Sequence, residues 1–234
     1  AARVMIVGDV PDEDEDRAGR PFAGRAGAML DRMLAAIGLS RDTVDAERAV
    51  YLTTALPWRT PGGRLPSEAE VLAMRPFLER HVELAAPDIL ILMGNCACHS
   101  ALGRSGVMRM RGAWTTAFGR PAMPMAHPSY LLANAAAKRD AWADLLEIAA
   151  RAELGEESIL LVEQSMGGED FAWYLQEVPG AMMRLGTRTR GGQTHDLHQA
   201  DYIADEDAIA CGIQVMASTA LRAVVHHVRE SALR

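Results

Sequence analysis

The sequence predicts an α/β protein: a three-layer α/β/α domain around a four-stranded parallel sheet, followed by a small α/β tail that ends in a long helix. Three observations carry this expectation. Four short apolar runs, Arg3–Val7, Val50–Thr53, Ile89–Met93 and Pro121–Ala126, read as strands buried on both faces. Segments with helical spacing separate them, and strand–helix alternation builds right-handed βαβ units with helices on both sides of the sheet. Charge then divides the chain. Residues 1–152 hold 18 Lys/Arg and 18 Asp/Glu, whereas residues 153–234 hold 6 and 13 and so carry the whole net charge of −7. The expected units are therefore 1–152 and 153–234.

The elements follow in order. The first strand ends at Gly8, and Gly8–Asp12 turns into the acidic run Glu13–Asp16. From Gly24 to Ile37, apolar residues at Ala26, Leu30, Met33, Leu34 and Ile37 mark a helix, with Gly38 at its end. The second strand leads into a loop rich in Pro and Gly, after which Ser67 and Glu70 form a capping box for a helix towards Leu84. Asn95–Leu102 follows the third strand as a short helix. His127-Pro128 ends the fourth strand, and Lys138–Ala152 is a helix with Trp142, Leu145, Leu146 and Ala149 on one face. Beyond residue 152 the expectation is two short strands, Ile159–Val162 and Ala181–Leu185, a helix over Gly168–Gln176, and a polar loop over Gly191–Gln199. A long helix from Glu206 towards Arg229, capped by Asp205, closes the chain.

Composition excludes some classes. No apolar run reaches the ~18 residues that span a bilayer, so no membrane partner is expected. Three cysteines, Cys96, Cys98 and Cys211, form no disulfide framework, which fits a reducing cytoplasm. The chain opens Ala-Ala-Arg without Met and enters a strand at once, so a fragment lacking its true N-terminus is expected. Between Asp88 and Asp140 no acidic residue occurs, while Arg104, Arg109, Arg111, Arg120, Lys138 and Arg139 do. That one-signed stretch suits either a polyanion such as the DNA backbone or a solvated basic face. In a parallel sheet the chemistry gathers at the carboxyl ends of strands, where Gly8–Asp12, Thr54–Arg64 and His127–Tyr130 stand.

From Val4 to about Ala150 the chain resembles uracil-DNA glycosylases of the family-four type. The carriers are VMIVGDVP (4–11), EDRAGRPFAGRAGAMLDRMLAAIGL (15–39), VYLTTALPWRTPGGRLPS (50–67), RPFLERHVELAAPDILILMG (75–94), HPSYLL (127–132) and AAAKRDAWADL (135–145). The resemblance implies hydrolysis of the N-glycosidic bond of a uracil, or a related deaminated base, flipped out of single- or double-stranded DNA. It implies catalytic roles for His127 and Asp9, and base contacts from Gly8, Val10, Phe22 and Thr54, with Phe22 stacking on the base. Ser129, Arg104, Arg109 and Arg111 would meet phosphates.

The sequence departs from that family in four places. Its first-strand turn reads GDVPD rather than Gly-Glu-Ala-Pro-Gly, so Asp12 sets a negative charge where DNA should approach. Thr54 stands where the family carries an Asn that reads the uracil edge. Ala133 stands where an arginine often follows HPSYLL. Trp58 and Met74 occupy two of the family's cluster-cysteine positions, so no iron–sulfur cofactor, and no other, is expected.

Residues from about 155 onwards resemble the C-terminal end of metal-dependent amidohydrolases of the aminoacylase and hippurate-hydrolase type, through EQSMGGEDFAWYLQEVPGAMMRLGTRT (163–189) and THDLHQADYIADEDAI (194–209). That resemblance implies that His198 is a metal ligand, left vestigial because its companions belong to a portion of the family absent here, with Glu169 beside the site. Two other functions stand beside the glycosylase: an inactive glycosylase-fold DNA-binding protein, favoured by Thr54, Asp12 and the missing cysteines, and an inactive amidohydrolase or peptidase fragment.

Overall fold

A computed structural model describes residues 2–154, 187 and 205–232. The chain divides into two compact units, 1–148 and 149–234. In the first, five strands are ordered β2-β1-β3-β5-β4. They are β1 (Val4–Gly8), β2 (Val50–Thr54), β3 (Ile89–Met93), β4 (Thr115–Ala117) and β5 (Arg120–Met125). The four expected strands pair parallel, with Val4 opposite both Val50 and Ile89, and Ile91 opposite Met123. β4 is a further strand that the sequence reading missed. It lies antiparallel on the outer edge of β5, where three residues suffice because the hairpin turn at Phe118-Gly119 fixes its register.

The helices that begin in this unit are α1 (Glu13–Ala18), α2 (Gly24–Ala36), α3 (Glu68–Ala85), α4 (Asn95–Leu102), α5 (Val107–Met110), α6 (Pro128–Ala133) and α7 (Ala137–Leu154), the last of which continues past residue 148. One sheet face presents Met5, Val7, Leu90 and Leu92, which pack with Val71, Leu78 and Val82 of α3 and Ala97, Cys98 and Ala101 of α4. The alternate residues Ile6, Ile91 and Met123 point the other way. They too are buried, as are Leu30 and Leu34 of α2 and Leu145 and Ile148 of α7. Central strands covered on both faces explain why the runs are continuously apolar rather than alternating.

The acidic run after the Gly8–Asp12 turn, to which the sequence assigned no element, is the helix α1. Asp12 caps it: its carboxylate accepts from the Glu15 N–H at 2.9 Å, and the Glu15 carboxylate accepts from the Asp12 N–H at 2.8 Å. Asp12 thus has a structural task besides the charge it adds to this turn. The Ser67–Glu70 capping box forms as expected at the start of α3.

In the second unit the described element is α8 (Asp207–Ala232), whose first turn is capped by the Asp205 carboxylate accepting from the Asp207 N–H at 3.0 Å. The expected elements at 159–162, 168–176, 181–185 and 191–199, with Glu169 and His198, lie outside the described residues.

Candidate active site

β1, β2 and β5 run parallel, so the three segments singled out in sequence share one edge of the sheet. β1 ends at Gly8, opposite Thr54, and the Gly8 carbonyl accepts from the Ala55 N–H at 2.9 Å. β5 runs into His127. Phe22, from the loop between α1 and α2, reaches over this edge. A Cβ on Gly8 would stand 2.7 Å from Phe22 Cζ, so glycine is what lets the ring close on the strand end. The Phe22 ring also lies against His127, with centroids 5.5 Å apart and planes 20° from parallel. Phe22 is 1% exposed, so its ring offers no free face in this arrangement. Apo catalytic sites commonly tighten or rearrange when substrate binds.

Phe22 holds this position at φ 52, a conformation that costs a residue with a β-carbon roughly 1–3 kcal/mol. Its N–H donates to the carboxylate of Glu15, a buried acid 6% exposed. Glu15 is a residue the sequence reading passed over, although Asp12 and Glu15 have the spacing of a capping box.

The Asp9 carboxylate is held at the start of α4. Its Oδ1 accepts from the N–H groups of Cys96 at 2.8 Å and Ala97 at 3.0 Å, at the start of α4. Negative charge at a helix N-terminus is favourable. Burial nonetheless pushes the Asp9 pKa up, against the pull of those donors and of His127. Burial pushes the His127 pKa down, opposed by the charges of Asp9, Glu15 and Asp12. Burial thus favours the neutral imidazole. Its Nδ1 accepts from the Ser129 N–H at 3.3 Å and lies 2.7 Å from Ser129 Oγ. A backbone N–H can only donate, so Nδ1 is bare and the ring proton sits on Nε2. Ser129, expected at a phosphate, here orients His127.

The remaining site residues sort as follows. Val10 packs its half-buried side chain against the core. Thr54 Oγ1 donates to the Leu56 carbonyl at 2.7 Å, so its hydroxyl keeps only lone pairs for another partner. Arg104 and Arg109 are exposed, on and beside the loop that Asn95 Oδ1 ties to α4 through the N–H groups of Gly106 and Val107. Arg111 is committed elsewhere. Its guanidinium grips both oxygens of buried Asp144, at 2.9 and 2.5 Å, and the Asp140 carbonyl at 2.6 Å, bracing α5 against α7. Arg111, expected at a phosphate, thus has a bracing role in the fold, with Nη1 making only a 3.6 Å contact to Asp140 Oδ2.

An iron–sulfur cluster does not fit these residues. Trp58 and Met74 offer no thiolate, and burial pushes the thiols of Cys96 and Cys98 up to about 12. No group of three metal-ligating side chains occurs among the described residues. No helix among them is long and apolar enough to cross a membrane.

Comparison with known proteins agrees with this geometry. The family model of the uracil DNA glycosylase superfamily matches residues 1–146, and that of peptidase family M20/M25/M40 matches residues 125–222, in keeping with an amidohydrolase-like C-terminal fragment. The type-4 uracil-DNA glycosylase of Thermotoga maritima is 34% identical over 137 residues, 56% of this chain and 67% of that protein. That of Sulfurisphaera tokodaii is 39% identical over 94 residues, 40% of each chain. A probable hydrolase of Synechocystis is 45% identical over 78 residues, 32% of this chain and 20% of that protein. The chain thus spans two thirds of the first of these glycosylases and two fifths of the second. With a parallel sheet whose carboxyl edge gathers Gly8, Phe22 and His127, and a family model covering more than half its length, the chain belongs to the uracil DNA glycosylase superfamily.

Proposed function

We propose that residues 1–152 form a DNA-repair glycosylase domain that hydrolyses the N-glycosidic bond of a flipped uracil, or a related deaminated base, in single- or double-stranded DNA. The observation that carries this reading is the His127 ring stacked on Phe22 at the sheet edge, with Nδ1 accepting from the Ser129 N–H so that Nε2 is left to carry a proton. When the C1′–N1 bond breaks, its electron pair leaves with the base, and charge collects on N1 and O2. A fixed N–H donor aimed at that oxygen stabilises the departing anion, and an already neutral donor gives up no proton of its own. The Asp9 carboxylate supplies negative charge against the cationic sugar. Water adds to C1′ and loses a proton, leaving an abasic site. Phe22 stacks on the base, the backbone of Gly8 and Val10 and the Thr54 hydroxyl meet its edge, and Arg104 and Arg109 steer the phosphates.

The test is incubation of the purified chain with a uracil-containing single strand. Abasic sites are expected, and His127→Ala should lower their rate about a hundredfold or more. Absence of cleavage at high protein concentration, with DNA binding retained, selects the second reading: an inactive glycosylase-fold DNA-binding protein. The commitment of the Thr54 hydroxyl to Leu56 favours that alternative. Residues 153–234 are read as an incomplete amidohydrolase segment in which His198 is vestigial, and the sparse cysteines as those of a cytoplasmic protein.

A further inference from the structure

Phe22 stands out as a side chain presented by a backbone that would not hold it unaided. At φ 52 the chain is in the left-handed region, which phenylalanine rarely adopts. Both polar groups of its backbone are held by ionisable side chains. On one side the buried Glu15 carboxylate takes the Phe22 N–H with Oε1 and the Asp12 N–H with Oε2. On the other, the guanidinium of Arg41, only 11% exposed, donates through Nη1 to the carbonyl of Phe22 at 2.9 Å and to that of Pro21 at 3.3 Å. Its Nη2 reaches the Gly27 carbonyl at 3.3 Å, and its Nε is fixed by Asp31 at 2.6 Å. The two clamps come from different parts of the chain, α1 and the loop after α2, and meet on one residue.

We infer that Glu15 and Arg41 are positioning residues: together they hold Phe22 in its left-handed conformation and so aim its ring at the sheet edge, where a flipped base would stack. Charge-assisted bonds suit this task, being shorter and stronger than neutral ones. An arginine fork reaches several carbonyls in one fixed plane, a geometry the compact ammonium of a lysine does not impose. Without either clamp, Phe22 relaxes to negative φ and its ring leaves Gly8 and His127. This inference rests on the base-stacking role proposed for Phe22, and its test separates the two.

The chain contains four phenylalanines, so labelling with 4-fluorophenylalanine gives a short fluorine NMR spectrum in which Phe22→Leu identifies the Phe22 line. Glu15→Gln and Arg41→Met should shift and broaden that line, because the ring loses its place beside the His127 imidazole. Arg41→Lys should restore it in part. In the glycosylase assay each clamp variant should lower kcat/KM about tenfold when Phe22 is present, and less than about twofold in a Phe22→Leu background, since residues acting through one side chain are not additive. A Phe22 line that Arg41→Met leaves in place, or a tenfold loss that persists without Phe22, overturns the inference. If the wild-type chain releases no base, the functional reading fails, and the fluorine line still decides on the clamp. Melting curves by circular dichroism identify any variant that does not fold, in which case Arg41→Lys carries the measurement.

Discussion

The carboxylate of Asp9 fills the space in which a side chain on Gly94 would begin. A Cβ on Gly94 would stand 2.2 Å from Asp9 Oδ2, and Gly94 itself holds φ 110. Gly94→Ala therefore meets two obstacles, a strained backbone and a displaced carboxylate that leaves the Cys96 and Ala97 N–H groups without an acceptor. The expected cost is about 2–4 kcal/mol in urea denaturation. Asp9→Ala empties that space, so the double variant should lose clearly less than the sum of the two single ones. Additive losses would mean that Asp9 is not what Gly94 accommodates.

The pH dependence follows from His127 and Asp9. Burial lowers the His127 pKa, so the imidazole stays neutral to a pH below the ordinary histidine range, and the acid limb of the rate–pH profile should lie below about 6.5. The Asp9 charge opposes that shift. Asp9→Asn keeps an acceptor for α4 and removes the charge, so the acid limb should move to still lower pH while kcat falls. A limb that moves upward would show that another group controls it.

β1 and β3 were legible because each is covered on both faces, which writes an unbroken apolar run into the sequence, whereas β2, at the sheet edge with Tyr51 exposed, carries a more polar one. β4 was not, because a three-residue edge strand is fixed by its hairpin partner rather than by its own pattern. The strand-end residues Gly8, Thr54 and His127 could be read as a site, since topology alone brings them to one edge. The orientation of Phe22 could not: a positive φ leaves no mark in the sequence, and Arg41, its carbonyl clamp, lies 19 residues away. The bracing role of Arg111 was hidden for a related reason. Its type and neighbours suggest a phosphate contact, and only the fold brings Asp144, 33 residues on, into its fork.

That pair gives a stability prediction. Burial pushes the Asp144 carboxyl up to about 6 while Arg111 pulls it down. A carboxyl that binds its proton more tightly folded than unfolded makes the fold less stable as pH rises from about 4 to about 6, by at most about 3 kcal/mol. Asp144→Asn should flatten stability across that window. Arg111→Ala leaves a buried charge unpartnered and should cost about 3–5 kcal/mol at neutral pH, less below pH 6 where Asp144 takes up its proton. Urea denaturation between pH 4 and 8 reads both, and a pH-independent cost for Arg111→Ala would count against the assignment.

The same residues separate a brace from a phosphate contact. Arg104→Ala and Arg109→Ala should each weaken DNA binding and reduce the slope of log K against log salt by about 1. Arg111→Ala, assayed where it remains folded, should leave the slope unchanged. Fluorescence anisotropy with a labelled oligonucleotide from 50 to 200 mM salt makes the comparison, and an equal loss of slope at Arg111 would return that residue to the interface.

If Thr54 meets the base as proposed, it bears on specificity. Its hydroxyl proton is given to the Leu56 carbonyl, so towards a base it can accept a hydrogen bond but not donate one. Uracil presents N3–H flanked by two carbonyl oxygens, a pattern that calls for an acceptor and a donor side by side. Thr54 matches half of it. Thr54→Asn supplies both groups from one amide and should raise the preference for uracil over hypoxanthine about tenfold or more in kcat/KM. The side chain is half-buried at the end of β2, so the change should cost little stability, and a melting curve checks that. If the preference does not move while the protein stays folded, Thr54 does not face the base, and the edge is read by the backbone of Gly8 and Val10 alone.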